Sequence, residues 1–181
     1  MTIRLLVAFV LATFASVSHA AVAESSADGF KVHHAFTVGG KTGDEVWAAL
    51  IDIGRWWNKE HSYSGDAANL KLDATAGGCF CERFGNASVQ HMTVINAIPK
   101  GMLRMTGGLG PLQELPVTGV MSWTFKKADG GGITVSMDYV VAGRAAGLKA
   151  LEAPVDGVLG EQVSRLERLL KTGSPEPAGK P

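Results

Sequence analysis

The sequence shows no excess charge of either sign, very little cysteine and only one long apolar run. Seventeen Lys and Arg stand against seventeen Asp and Glu. A neutral chain has no electrostatic footing on a phosphate backbone or an anionic bilayer, so nucleic acid and membrane surfaces are dropped as partners. Beyond the N-terminal segment no apolar stretch approaches the ~20 residues that a spanning helix needs. The two cysteines, Cys79 and Cys81, are too few for a disulfide framework, and none is required. A domain of this length buries ~70% of its unfolded surface without staples. There is no internal repeat and no β-α-β alternation, which excludes a parallel sheet. Nucleophile elbows of the G-x-S-x-G type are absent. The glycine-rich Gly107-Gly108-Leu109-Gly110-Pro111 lacks the Lys and Ser/Thr that complete a phosphate loop, and is read as a turn or a loop at a cavity mouth. Histidines lack short ligand spacing, so neither a metal nor a cofactor is expected.

The single apolar run is informative. Met1 to Arg4 is a short basic start, Leu5 to Ala15 is apolar, and Ser16 to Ala20 is small and polar. This order is that of a cleavable secretory signal, with the cut after Ala20. The mature protein is therefore expected to be periplasmic or secreted. No cysteine follows the run, so no lipid anchor is predicted. Residues 21–29 are small and polar and read as a loose leader. In such a compartment the C-x-C at Cys79 and Cys81 has two readings, buried thiols or a labile redox pair. On a regular strand their Cα atoms lie ~6.6 Å apart, at the far edge of disulfide geometry, which favours buried thiols.

Hydrophobic periodicity organises the rest. Phe30 to Val38 alternates strictly, placing Phe30, Val32, His34, Phe36 and Val38 on one strand face. Thr42 and Glu45 have the capping-box spacing at the head of a helix carrying Val46, Trp47, Leu50 and Ile51. A second short helix is predicted over Ile53 to Asn58, then a polar loop to Asp66. Strands follow at 70–72, 79–84, 89–98, 102–106, 118–127 and 133–142, joined by glycine turns as an antiparallel meander requires. From Pro154 apolar residues recur at helical spacing to Leu170. Residues 172–181 read as a disordered tail. The sum is an α+β domain over 30–171: a curved antiparallel sheet of about seven strands with a long C-terminal helix laid across it. Such a fold readily encloses a cavity.

Candidate functional residues follow from strand phase. Glu82 shares phase with Phe80 and Phe84, which points it inward; Arg104 or a histidine would be the partner it then needs. His91 shares phase with Val89, Thr93 and Ile95. His61 and Tyr63 lie in the polar loop after Trp57. Of the adjacent Trp56 and Trp57, one anchors the core and the other reaches the cavity mouth. Trp123 and Tyr139 sit on faces turned toward the helix. The histidines, being scattered, read first as structural. Asn86-Ala87-Ser88 formally fits a glycosylation acceptor.

Val46-Trp47, Ile53-Gly54-Arg55-Trp56-Trp57, Gly77-Gly78-Cys79-Phe80-Cys81-Glu82, Val89-Gln90-His91-Met92, Pro99 to Arg104, Gly107 to Gln113 and the helix Pro154 to Leu170 together resemble the START-like, or SRPBCC, superfamily. Its exported members are labelled by similarity to polyketide cyclases or to activators of a heat-shock chaperone ATPase. The resemblance implies a helix-grip fold with an internal cavity. The chaperone label conflicts with export, because that ATPase is cytosolic. The expected function is binding of a small apolar or aromatic molecule by a monomer or weak dimer, without catalysis. The ligand would meet Trp57, His61, Tyr63, Glu82, His91, Trp123 and Tyr139. The rival expectation is a cavity enzyme of cyclase or hydrolase type, using Glu82 and His91 for acid–base work.

Overall fold

The structure is a computed structural model that describes residues 21–177 and 179; the signal peptide predicted over 1–20 lies outside them. The chain runs β1 (Ala21–Ser26), β2 (Gly29–Val38), α1 (Gly43–Ile51), β3 (Leu70–Leu72), β4 (Cys79–Phe84), β5 (Ala87–Ile98), β6 (Met102–Thr106), β7 (Val117–Lys127), β8 (Ile133–Gly143) and α2 (Glu152–Thr172). All eight strands form one antiparallel sheet in the order β1-β2-β8-β7-β6-β5-β4-β3. This is the helix-grip arrangement, with α2 packed mainly on β2.

Local chemistry accounts for the elements. The β2 alternation buries Phe30, Val32, Phe36 and Val38. At the head of α1 the Glu45 amide donates to Thr42 Oγ1 at 3.2 Å and the Thr42 amide donates to Glu45 Oε2 at 2.8 Å. That reciprocal pair satisfies two amides which the helix leaves open. The stripe Leu159, Val163, Leu166, Leu169 and Leu170 is buried beneath α2. His34 faces inward as expected and meets Asp156 of α2 at 2.9 Å, both nearly buried. Gly160 makes room for that ring, since a Cβ there would lie 2.8 Å from it.

Four expectations are corrected. Residues 21–26 are no loose leader but an eighth strand, paired with β2 in a register interrupted between Val22 and Glu24; backbone pairing asks little of side chains. The tail is ordered through Glu176. There Arg165, held by its Nε on the Trp56 carbonyl at 2.7 Å, grips the Glu176 carboxylate at 2.6 Å, and Arg168 donates to the Pro175 carbonyl at 2.8 Å. The helix expected over 53–58 is one 3-10 turn, Ile53–Arg55. The fourth concerns β5. Phe80 pairs with Met92 but Cys81 pairs with Gln90, so His91 is an extra residue in the ladder; a second irregularity follows between Val94 and Asn96. A bulge of this kind resets strand phase. His91 and Met92 are consequently both buried, and Ile95, expected to share the His91 face, is exposed.

Candidate functional site

A cavity of about 510 Å³ opens between the first half of α2 and the short 3-10 segment Gly110–Glu114. Leu151, Val155, Val158 and Leu159 supply the helix wall, and Leu109 to Leu112 the opposite one. Trp57, His61, Ser62, Tyr63 and His91 form a third side. The two walls are mostly apolar, with Glu114 at the end of the 3-10 segment as the exception, and the other polar groups are gathered on the third side. That distribution suits a ligand that is oily along its length and polar at one point.

His91 reaches the cavity only because of the β5 bulge, and behind it lies Glu82. The Glu82 side chain is fully buried, with Oε2 3.2 Å from His91 Nε2. Its charge is met by three donors. The Ser64 amide gives to Oε1 at 2.6 Å and the Tyr63 amide to Oε2 at 3.0 Å, with the imidazole as the third. Burial works to raise this carboxyl, but the donors of Ser64, Tyr63 and His91 outweigh it and hold the group below the usual carboxylate range. Burial conversely depresses His91, an effect that Glu82 offsets only in part. Near neutral pH the pair is therefore carboxylate and neutral imidazole. Nε2–H donates to Glu82, and Nδ1 of that tautomer is an acceptor. Phe80 lies 4.7 Å from the imidazole by ring centroids and 5.4 Å from Trp57, fixing the ring from one side.

The third side is tied to α2 by a second polar set. His61 Nε2 lies 3.1 Å from Glu161 of α2, and Asn58 donates through its side chain to Glu161 at 2.6 Å and through its amide to Gln162 at 2.7 Å. Trp57 Nε1 donates to the His61 carbonyl at 2.9 Å. The loop bearing His61 and Tyr63 is thus clamped to α2. On the opposite wall the Tyr139 hydroxyl donates to the Gly107 carbonyl at 3.0 Å and accepts from the Leu109 amide at 3.3 Å. Burial raises this hydroxyl well above the ordinary phenol range, so it remains a donor. Gly119 leaves it space, because a Cβ there would stand 2.6 Å from the Gly107 carbonyl oxygen.

Of the residues singled out in the sequence, Trp57, His61, Tyr63 and His91 meet at the cavity. Glu82 stands one layer behind, partnered by His91; Arg104 turns instead to Ser122, at 2.9 Å. Trp123 and Tyr139 do not line it. Trp123 packs edge-on against Trp56, 6.0 Å away, in the core, and Tyr139 is an anchor for the loop. Both tryptophans of the 56–57 pair are buried, Trp56 in the core and Trp57 on the cavity wall. Leu109 lies in the glycine-rich segment read as a turn or a loop at a cavity mouth, whereas Leu112, Val155 and Val158 are cavity residues that the sequence did not single out. The helical stripe was visible, but it could not say where the sheet ends and the cavity begins. Cys79 and Cys81 are not buried thiols: they are half-buried and joined in a disulfide, with Cα atoms 5.3 Å apart.

No protein-family model and no curated protein matches the chain. Solved structures do. DynU16, a protein of the dynemicin biosynthetic locus, aligns with a TM-score of 0.56 at 23% identity over 80% of this chain and 48% of its own. The chain thus spans about half the length of that protein. MLL2253 from Mesorhizobium loti aligns with a TM-score of 0.54 at 16% identity over 77% of this chain and 96% of its own. The Aha1 dimer from Colwellia psychrerythraea gives 0.51 at 12% identity over 79% and 97%. The chain shares their fold. Among the described residues no helix is long and apolar enough to cross a membrane.

Proposed function

We propose that this protein is an exported START-like domain that holds one small apolar or aromatic molecule, outside the cytoplasm and as a monomer or weak dimer. The observation carrying the reading is the cavity: about 510 Å³, within the ~300–1,000 Å³ usual for ligand sites. Its mostly oily walls and polar third side match a flat or branched hydrophobe with a hydroxyl or enol directed at His91. Export is supported by the basic, apolar and small-residue order of residues 1–20. Native mass spectrometry of protein purified from its own compartment tests the binding. A reproducible added mass, released by organic solvent and lost in a Val158→Trp variant that fills the cavity, is the expected result. Failure to retain or bind any of a panel of polycyclic and acyl probes, with the protein folded, would overturn it. Retention in the cytoplasm with the ligand still held would overturn the export half alone.

The Glu82–His91 pair favours a second reading, in which the held molecule also loses a proton to His91. A buried carboxylate behind a neutral imidazole is the geometry that orients a general base and stabilises its protonated form. This reading expects turnover of an enolisable ligand to fall in His91→Gln, with a rate that rises through the imidazole titration. Turnover unaffected by that substitution would exclude it.

A further inference from the structure

Cys79 and Cys81 flank Phe80, and the three residues lie opposite the bulge that delivers His91. On β4 the side chains alternate: Phe80 and Glu82 are buried, whereas Cys79 and Cys81 are half-buried on the outer face. The disulfide therefore closes a small ring on the outside of the sheet, directly behind Phe80. Phe80 touches His91 on its inner side, and Glu82, the next residue after the ring, is hydrogen-bonded to the same imidazole. The Cα separation of 5.3 Å is shorter than the ~6.6 Å of a regular strand. β4 is thus drawn in over the same residues at which β5 carries one residue too many.

The surroundings suit exchange. In the ladder Lys71 of β3 lies directly across from Cys81, where opposed side chains stand ~4.5–5.5 Å apart at Cβ. Arg83 follows on the same outer face, and both cations are exposed. The nearby carboxylate, Asp73, is engaged by the Thr75 hydroxyl at 2.8 Å. Cations beside a sulfur stabilise its thiolate as a leaving group, and half-burial leaves the pair within reach of a partner thiol.

We infer that Cys79–Cys81 is an exchangeable disulfide whose state sets the position of His91, making the cavity redox-responsive. This rests on the reading of His91 as a group of the binding site. The reductant is a dithiol. One of its thiolates attacks a cysteine sulfur, forming a mixed disulfide and expelling the other cysteine as a thiolate. The second partner thiol then displaces the bound cysteine. In total the pair gains two electrons and two protons, and the partner leaves as a disulfide. Once the ring is open, β4 is free to lengthen toward ordinary strand spacing. Phe80 and Glu82 move with it, and the imidazole loses its fixed neighbours.

The test needs no ligand, so its failure is distinct from failure to bind one. The native protein is treated with dithiothreitol, its thiols are counted by mass after alkylation, and the His91 ring resonances are followed by NMR against pH. Two alkylated thiols are expected while far-UV dichroism stays unchanged. The His91 resonances should shift and its titration midpoint should move by several tenths of a pH unit or more, with His33 on β2 unaffected. Cys79→Ser/Cys81→Ser should reproduce the reduced spectrum without reductant, and Lys71→Gln should slow reduction severalfold. Two thiols with an unmoved His91 would overturn the coupling. Reduction seen only when the protein unfolds, or a double variant that cannot fold at all, would overturn exchangeability.

Discussion

Replacing Glu82 by glutamine keeps the size of the side chain and removes only its charge and one acceptor. The native carboxylate receives the Ser64 amide on one oxygen and the Tyr63 amide and His91 on the other. In Glu82→Gln the less damaging orientation leaves the oxygen toward Tyr63 and His91 and sets the NH2 against the Ser64 amide, donor against donor. A hydrogen bond to a charged group contributes about 1.5–3 kcal/mol, and a stranded buried amide costs about 1–3 kcal/mol. Some of this returns because a neutral amide is easier to bury than a carboxylate. A loss of roughly 2–4 kcal/mol is expected, and at ~2–4 °C per kcal/mol for a domain of this size Tm should fall by ~5–15 °C. Urea unfolding at pH 7.5 reads the first quantity and calorimetry the second. A third readout is independent of folding energetics. Glu82 raises the His91 titration against the depressing effect of burial, so in the variant His91 must titrate lower still. A variant within about 0.5 kcal/mol of the parent, or one whose His91 titrates higher, contradicts the pairing.

Three further outcomes follow from the same contacts. Stability should decline in two steps as pH falls. His91 is depressed, so its contribution is complete above its unfolded value of 6.5 and is lost below it. Glu82 is also depressed, so its contribution is complete above 4.5 and is lost as pH passes through its lower folded value; His91→Gln should abolish the upper step in urea titrations across pH. Tyr139→Phe should cost about 1–2 kcal/mol by stranding the Gly107 carbonyl and the Leu109 amide, with hydrogen exchange at Leu109 accelerating more than at Leu103 of β6. Gly119→Ala should be worse, by about 3 kcal/mol or more, because its new methyl meets both the Tyr139 ring and the Gly107 carbonyl; a stable, soluble variant with native Tyr139 absorbance contradicts this packing.

What could be read in the sequence was whatever repeats with a regular period. β2, β7 and β8 hold strict alternation, so Phe30, Val32, His34, Trp123 and Tyr139 were placed on the correct face from spacing alone. The α1 cap was legible because a capping box is a side-chain signal, Thr42 with Glu45. β1 was not, since its residues bring little apolar content and its order comes from backbone pairing to β2. The turn from Gly173 to Glu176 depends on Arg165, eleven residues back along the chain. No local pattern carries such a contact. Phase also could not separate Trp123 and Tyr139 from cavity residues, because the same inward face serves the core under one part of the sheet and the cavity under another.

His91 is the instructive case, since the device that hid it is the device that makes the site. A regular β5 would carry one register through the strand, and the alternation that puts Met92 and Val94 in the core would turn His91 out to solvent. The extra residue lets His91 and Met92 both face inward. A bulge costs a ladder hydrogen bond and is retained where it re-aims a side chain. The disulfide lies beside that bulge, across the β4–β5 ladder. A ring of three residues restrains the unfolded chain by only roughly 1.6 kcal/mol on the chain-entropy estimate, and β4 already lies between two partner strands. Global stapling is therefore a poor account of why the cysteines sit at 79 and 81. Their position against the bulge is a better one: one strand is shortened where its neighbour is lengthened, and the imidazole at that mismatch is one of the polar groups that face the cavity.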